Sequence, residues 1–343
     1  MNLLNALSTK ARTAAHPNSR HPGGAPCTCP TTTLADRPDA TVVRHAGTVA
    51  KAHAPHTDPA GLSLRLATAA RLPGILLPPL TTTPSTLHAP ASHTPEPIPA
   101  PRTLDQDPAP TPPHRLVTLW PYGTPVAPDD PDAAPWEAAA TLLARLHRSA
   151  PGDRTPPPPM RGPAKAAHAL TRLRAALSTT PHPAGPPVLR AWSALPAWAR
   201  AEAPMPGTPA LCHGDLHLGQ LVRHPAPDGP WRLIDVDDLG PGVPAWDLAR
   251  PAAWYACGLL PPGEWTRFLA AYREAGGPAV PADGDPWAAL DVPARALTAQ
   301  TAARVLTKAI AAGRPLDEVE GALIDACARM GSAPGQLASG SPA

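Results

Sequence analysis

Leu211 to Asp238 read LCHGDLHLGQLVRHPAPDGPWRLIDVDD. Apolar Ala210 and Leu211 lead into a polar His-Gly-Asp-Leu-His turn, Leu221-Val222 closes it, and a Pro/Gly-rich turn precedes the apolar run Trp231 to Ile234. This is a strand–loop–strand pattern, apolar where it must be buried and punctuated by Gly and Pro where it must turn. The loop sets Asp215 five residues before a side-chain amide, Gln220, and a second carboxylate, Asp235, follows fifteen residues later at the end of the second short strand. A carboxylate that orients a hydroxyl, an amide five positions on and a metal-binding Asp after a hairpin make up the order of functional groups used in phosphoryl transfer.

Such transfer needs little covalent help from a protein, because the γ-phosphoryl group passes through a loose transition state governed by charge and alignment. Mg²⁺ takes hard oxygen ligands and keeps several waters, so Gln220, Asp235 and phosphate oxygens make a sufficient set. Asp215 is then left to accept or orient the proton of an incoming hydroxyl, a role worth about 10²–10⁴ in rate. Two other readings of the same residues stand beside this one. His213 and His217 flank Asp215 as H-x-D-x-H, which suits a transition metal and a metal-dependent hydrolase. Alternatively the loop is a structural turn in which Asp215 caps a backbone N–H.

HGDLHLGQ followed by LIDVDDLGPGVPAWDLAR resembles the aminoglycoside phosphotransferase and choline kinase-like superfamily, whose loops read HGDxHxxN and IDxxDxxxGxxxxDLA. The match is specific over Cys212–Arg250 and weaker, in register, over about Val42–Gly331. The resemblance implies an α+β, bilobal protein kinase-like fold, with a small antiparallel-sheet N-lobe and a mainly helical C-lobe. It implies ATP and Mg²⁺ as cofactors and a small-molecule hydroxyl as acceptor. It further implies Asp215 as catalytic base, Gln220 and Asp235 as Mg²⁺ ligands, His213 as a loop-packing residue and Asp247 as an acid that braces the loop. One departure is plain: Gln220 stands where the family usually has Asn, as in some maltokinase-like members. Asp237 and Asp238 stand beside Asp235 as a further metal contact or as solvated loop acids.

The rest of the chain fits this frame. Its 343 residues, 43% hydrophobic, allow two lobes with a real core. A formal net charge of +2 gives no reason to expect nucleic acid. No apolar run of signal-peptide or membrane-spanning length occurs, so a cytoplasmic protein without a membrane or an obligate protein partner is expected. Residues 1–37, rich in Thr, Pro, Ser and His, read as a loosely ordered segment. Cys27-Thr28-Cys29 has one intervening residue, unlike common zinc and redox motifs, so the five cysteines default to reduced, non-catalytic thiols.

The N-lobe is assigned to 38–120. Asp39–Pro55 reads as a hairpin with Lys51 mid-strand, one of only four lysines among 29 basic residues. A compact ammonium there suits the nucleotide phosphates, and the resemblance places Lys51 where the kinase strand lysine stands. No Gly-rich loop precedes the hairpin, so the phosphate-covering turn falls to residues 33–39. The following helix, Pro59–Leu72, has no acid to pair with Lys51. With Gln220, these gaps motivate a further reading: a nucleotide-binding, catalytically impaired kinase-like protein. Residues 80–113 form a Pro-rich insertion. Arg115–Trp120 is a short strand, and order along the chain makes Leu119–Gly123, including Trp120 and Tyr122, the hinge whose free backbone groups meet adenine.

The C-lobe is assigned to 121–331, with helices at about Trp136–His147, Ala164–Leu177, Pro187–Glu202, Ala245–Cys257, Pro262–Ala275, Trp287–Ala312 and Leu316–Met330, and a flexible tail at 332–343. Gly240-Pro241-Gly242 reads as a flexible turn. His147 reads as a satisfied structural histidine, and the aromatics between Trp246 and Trp287 as core. From Glu264 to Met330 nine acids stand against seven bases, so this stretch has no acidic bias of the kind that polycationic aminoglycosides favour, and antibiotic, sugar, amino-alcohol and homoserine-like hydroxyls all stay open as acceptors.

Overall fold

The computed structural model describes residues 2–17, 27–88, 114–127, 133–150 and 155–332. Residues 89–113 of the Pro-rich insertion and 333–343 of the expected tail lie outside this set. The chain divides into two compact units, Met1–Thr124 with Val222–Arg232, and Pro125–Leu221 with Leu233–Ala343.

The first unit is built on a five-stranded sheet of order β1-β2-β3-β5-β4, formed by β1 (Thr31–Asp36), β2 (Thr41–His45), β3 (Thr48–Ala52), β4 (Ser85–His88) and β5 (His114–Pro121). Every neighbouring pair is antiparallel. The hairpin expected over Asp39–Pro55 is β2–β3, with Val42 opposite Lys51. Its two-residue turn places Ala46 at φ 51°, ahead of Gly47. Residues 33–39 do not form a covering turn by themselves: most of them lie in β1, and the turn is Arg37–Ala40, closed by two backbone hydrogen bonds of 2.9 and 3.2 Å.

Residues 1–37 are not loosely ordered throughout. Helix α1 (Leu3–Ala15) opens on Asn2, whose side chain accepts from Asn5 N–H. It carries apolar residues at 3, 4, 7 and 11, one helical face. That face buries Leu7 and Ala11 completely against Val43, Ala50, Ala52 and Val117 of the sheet. Burying one leucine contributes about 1.5–3 kcal/mol, a share of what docks the helix on the sheet. Helix α2 (Pro59–Arg71) is capped by Asp58, whose carboxylate accepts from Ala60 and Gly61 N–H; the helix itself holds no acid, as its sequence requires.

The second unit is mainly helical: α3 (Trp136–His147), α4 (Gly162–Thr179), α5 (Gly185–Ser193), α6 (Ala245–Ala256), α7 (Pro262–Glu274), α8 (Trp287–Ala312) and α9 (Glu318–Ser332). The long α8 packs against α4, α5, α6 and α9, and α3 packs against α7. Of the aromatics of this region Trp246, Trp265, Phe268 and Tyr272 are core, while Trp254, Tyr255 and Trp287 are half-buried; Trp265 stacks on Tyr255 at 5.5 Å and on Phe268 at 6.0 Å. The short strands of this unit are β7 (Ala210–Cys212) and β10 (Gly240–Gly242), while β6 (Thr124–Pro125), β8 (Leu221–Arg223) and β9 (Trp231–Leu233) fall at the chain positions where the two units divide. Gly240-Pro241-Gly242 is therefore not a flexible turn. It pairs antiparallel with β7, Gly240 opposite Cys212, and Pro241 accepts from Met160 N–H at 3.0 Å.

Candidate active site

The site is built on the loop leaving β7. Gly214 has φ +85°, and a Cβ on it would stand 2.6 Å from the Asp238 carbonyl oxygen, so both conformation and space require glycine. The turn this creates is held from beneath by Asp247 in the first turn of α6. Its Oδ2 accepts from His213 N–H at 2.6 Å and its Oδ1 from Gly214 N–H at 2.7 Å. Asp247 is 1% exposed, and its Oδ2 also accepts from His147 Nε2 at 3.0 Å. The other ring nitrogen of His147 accepts from the Tyr272 hydroxyl at 2.7 Å, which itself accepts from Ala279 N–H. His147 is thus the satisfied structural histidine its helix position suggests. Helices α3, α6 and α7 lock the loop through one buried chain of hydrogen bonds, which in low dielectric is costly to leave half made. His213 packs within the loop, its Nε2–H donating to the Ile234 carbonyl at 2.8 Å.

Asp215 projects from this loop between two cations absent from the sequence expectation. Lys165 Nζ, from the first turn of α4, donates to Asp215 Oδ2 at 2.7 Å and to Asp238 Oδ2 at 2.6 Å. Arg250, on α6, donates to Asp215 Oδ1 at 2.8 Å and to the Leu216 carbonyl at 2.9 Å. Burial by itself would raise the Asp215 pKa, but Lys165 and then Arg250 outweigh it and hold the carboxyl well below the usual carboxylate range. Burial also opposes the Lys165 charge, yet Asp238 and Asp215 together raise its pKa. Lys165 reaches the site because Gly162 lets α4 begin against Trp246, where a Cβ would stand 2.1 Å from the indole nitrogen. Lys165, Asp215, Leu216, Trp246, Arg250 and Gln300 line one pocket of the second unit.

Gln220 ends a short 3-10 turn, and its carbonyl accepts from Ile234 N–H at 2.9 Å, which brings it beside Asp235. The two side chains lie 3.4 Å apart, Gln220 Nε2 to Asp235 Oδ2. Asp235 adopts φ 63°, a left-handed conformation that a non-glycine residue keeps only where its surroundings hold it there. In this arrangement the amide NH₂ donates to the carboxylate; the hard donors that Mg²⁺ takes would be the Gln220 amide oxygen and the Asp235 carboxylate. Asp237 and Asp238 follow in a 3-10 turn, and Asp238 is committed to Lys165.

The hydrolase arrangement does not form. His213 faces the Ile234 carbonyl and Asp215 faces Lys165 and Arg250, and among the described residues His213, Asp215 and His217 do not bring three ligand atoms together. The imidazole of His217 is held down to about 4, by burial first and by Arg250 next, with Asp215 pulling the other way. It is therefore neutral at pH 7. An unfolded histidine takes its proton near pH 6.5, so between about pH 6.5 and 4 the unfolded chain binds a proton that the folded chain refuses, and stability falls as pH falls. His217→Gln is expected to reduce the loss of stability between pH 7 and 5 by on the order of 1–2 kcal/mol, read from denaturant midpoints at both pH values.

In the first unit, Lys51 is buried on β3. At the expected hinge, three backbone groups already have partners within the unit. The Leu119 carbonyl accepts from Leu80 N–H at 2.8 Å, Tyr122 N–H donates to the Gly47 carbonyl at 2.8 Å, and the Tyr122 carbonyl accepts from His224 at 3.1 Å. The Trp120 indole donates to Thr118 at 2.8 Å, and Arg44 lies over the Tyr122 ring at 3.4 Å. These backbone groups are engaged inside the unit instead of standing free, because a chain buried against a sheet edge pairs its polar groups internally.

Against known proteins, the sequence model of the phosphotransferase enzyme family matches residues 86–290, well over half of the chain. No curated protein matches the sequence. Among solved structures, a choline/ethanolamine kinase family protein from Mesorhizobium loti is 18% identical with a TM-score of 0.54, covering 96% of each chain. Choline kinase from Cryptosporidium parvum Iowa II is 10% identical with a TM-score of 0.53, covering 95% of this chain and 94% of that one. A thermostable mutant of an aminoglycoside phosphotransferase is 12% identical with a TM-score of 0.50, covering 89% and 96%. At these identities the structural likeness concerns the fold, an α+β kinase-like arrangement with an antiparallel-sheet part and a helical part. With the HGDLHLGQ loop, its buried Asp247 brace and the Gln220–Asp235 pair already in place, the match over residues 86–290 settles that the chain belongs to the phosphotransferase enzyme family.

Proposed function

We propose that the protein transfers the γ-phosphoryl group of ATP to a hydroxyl of a small molecule, with Asp215 orienting that hydroxyl. The observation that carries this reading is the Asp215 carboxylate, half-buried at a pocket and held ionised by Lys165 and Arg250, on the same loop that sets Gln220 against Asp235. Gln220 and Asp235 are the residues we assign to Mg²⁺, which when bound neutralises phosphate charge during transfer. Lys51 is the cation we assign to the nucleotide phosphates, as a point charge on a flexible stem. Because Asp215 stays ionised to low pH, its part is to accept a hydrogen bond from the acceptor hydroxyl and aim its oxygen, with the proton leaving late. Lys165 and Arg250 keep the carboxylate fixed, and Asp247 keeps the loop fixed.

The pocket residues also bear on the acceptor. Lys165 and Arg250 are matched there by two carboxylates, Asp215 between them and Asp238 on Lys165. With its charges balanced in this way the pocket offers no acidic excess to draw a polycation, whereas a neutral polyol or a hydroxy acid needs none. Incubation with γ-labelled ATP, Mg²⁺ and a panel of sugars, hydroxy acids, amino alcohols and aminoglycosides should label neutral or anionic alcohols ahead of aminoglycosides. In parallel, ATP at about 100 times its Kd should stabilise the fold by about 2.7 kcal/mol in a thermal melt. A melt that ATP leaves unmoved, with no labelled product, overturns the assignment. A melt that shifts without product from any alcohol supports the catalytically impaired reading instead.

A further inference from the structure

A second set of chemistry-bearing side chains lies in the first unit and shares no residue with the candidate active site. His16, Cys27, Cys29 and His45 each offer one ligand atom, and all four atoms lie within 4.8 Å of one another. Cys27 Sγ is 3.0 Å from His16 Nε2 and 3.5 Å from His45 Nε2. In a tetrahedral zinc site, with Zn–S near 2.3 Å and Zn–N near 2.0–2.1 Å, adjacent sulfur and nitrogen stand roughly 3.5 Å apart. The two imidazoles meet edge to face with centroids 5.4 Å apart, so both ring nitrogens can turn to one point.

These four residues come from three pieces of chain. His16 terminates α1, its N–H donating to the Arg12 carbonyl at 3.0 Å. Cys27 and Cys29 lead into β1, and His45, 0% exposed, ends β2 opposite Thr31. The surroundings have the features of an outer shell. Thr31 Oγ1 lies 2.8 Å from His45 Nδ1, and an imidazole that ligates through Nε2 carries its proton on Nδ1 and donates it to such an acceptor. Cys29 N–H donates to Cys27 Sγ at 3.3 Å, the kind of outer-shell donor that ligating sulfurs receive. By contrast, the other cluster of this kind, His147, Cys212 and Asp247, has its carboxylate already filled by two backbone N–H groups and by His147.

We propose that His16, Cys27, Cys29 and His45 form a structural Cys₂His₂ zinc site that clasps the end of α1 and the start of β1 to the end of β2. Binding converts two thiols to thiolates with release of two protons to solvent, while both imidazoles stay neutral. Two thiolates and one Zn²⁺ then sum to zero charge, which suits a partly buried position. Through His16 the ion tethers the C-terminal end of α1, whose Leu7 and Ala11 already pack on the sheet.

Elemental analysis of the full chain, loaded with Zn²⁺ and dialysed, should give about one zinc per chain, as a single tetrahedral site requires. Chelation should lower the melting temperature, and thiol titration should find Cys27 and Cys29 protected with zinc and reactive without it. Replacement by Co²⁺ should give the intense visible absorption of a tetrahedral ion with a thiolate-to-cobalt band in the near ultraviolet. The double variant C27S, C29S should lose both the metal and that band. A chain that retains no zinc after dialysis, a weak octahedral cobalt spectrum, or a Cys27–Cys29 disulfide in protein purified under reducing conditions overturns the site. So does unchanged zinc content in the double variant. Should that variant fail to fold, the cobalt spectrum and thiol titration of the unaltered chain decide by themselves.

Discussion

Asp215→Asn is expected to lower the rate of phosphoryl transfer by about 10²–10⁴ while leaving nucleotide affinity within a few-fold. The amide is nearly isosteric, so the change removes charge and proton affinity without emptying the pocket. The fold should survive, because each cation retains another contact. Lys165 still has Asp238 at 2.6 Å, and Arg250 still donates to the Leu216 carbonyl at 2.9 Å. Single-turnover measurements with saturating ATP separate the chemical step from binding. A rate within ten-fold of the parent would remove Asp215 from the reaction and leave the loop a structural turn.

Asp247→Ala is expected to cost about 3–5 kcal/mol of stability, the largest effect of any single change in the helical unit. The side chain receives three buried donors: His213 N–H, Gly214 N–H and His147 Nε2–H. Each donor left without an acceptor costs about 1–3 kcal/mol, and the totals are not additive because the loop relaxes. Asp247→Asn should lie between the two, since one oxygen remains while an NH₂ is turned against a donor. Denaturant midpoints at unchanged m-value measure this. Pairing Asp247→Ala with His147→Ala in a double-mutant cycle should show strong coupling, as both belong to one chain of bonds. Losses that simply add would mean that the brace is not a unit.

How far such effects are visible in the sequence depends on how local their causes are. Helices α3 and α8 begin where Pro135 and Pro286 end the preceding loop, and their bounds follow from spacing and punctuation. Asp215, Gln220 and Asp235 lie on one strand–loop–strand, so spacing alone places them near each other. Lys165 reads as one more basic residue on an amphipathic helix, and nothing within its own turn marks it. Its pairing with Asp215 spans 50 residues and with Asp238 73. Helix α1 carried two local signals, the Asn2 cap and apolar positions at 3, 4, 7 and 11, which the Thr/Pro/Ser-rich composition around it obscured. At Gly240–Gly242 the residue types pointed to a turn, and pairing with β7 overrode them.

Cys27-Thr28-Cys29 shows the same division. As a spacing it falls outside the familiar zinc patterns, because two of the four ligands are histidines on other elements. By itself the sequence determined most of the local grammar: the β2–β3 hairpin, helices α2 to α9, and which loop carries carboxylate, amide and carboxylate in the order phosphoryl transfer uses. Only the tertiary structure decided which charges surround Asp215, which backbone groups near Tyr122 are already engaged, and which thiols meet which imidazoles. The physical reason is range. Backbone propensity and periodicity act over a few residues and are written in order along the chain. Ion pairs, buried hydrogen bonds and ligand clusters depend on distances of about 3 Å between groups that only packing brings together.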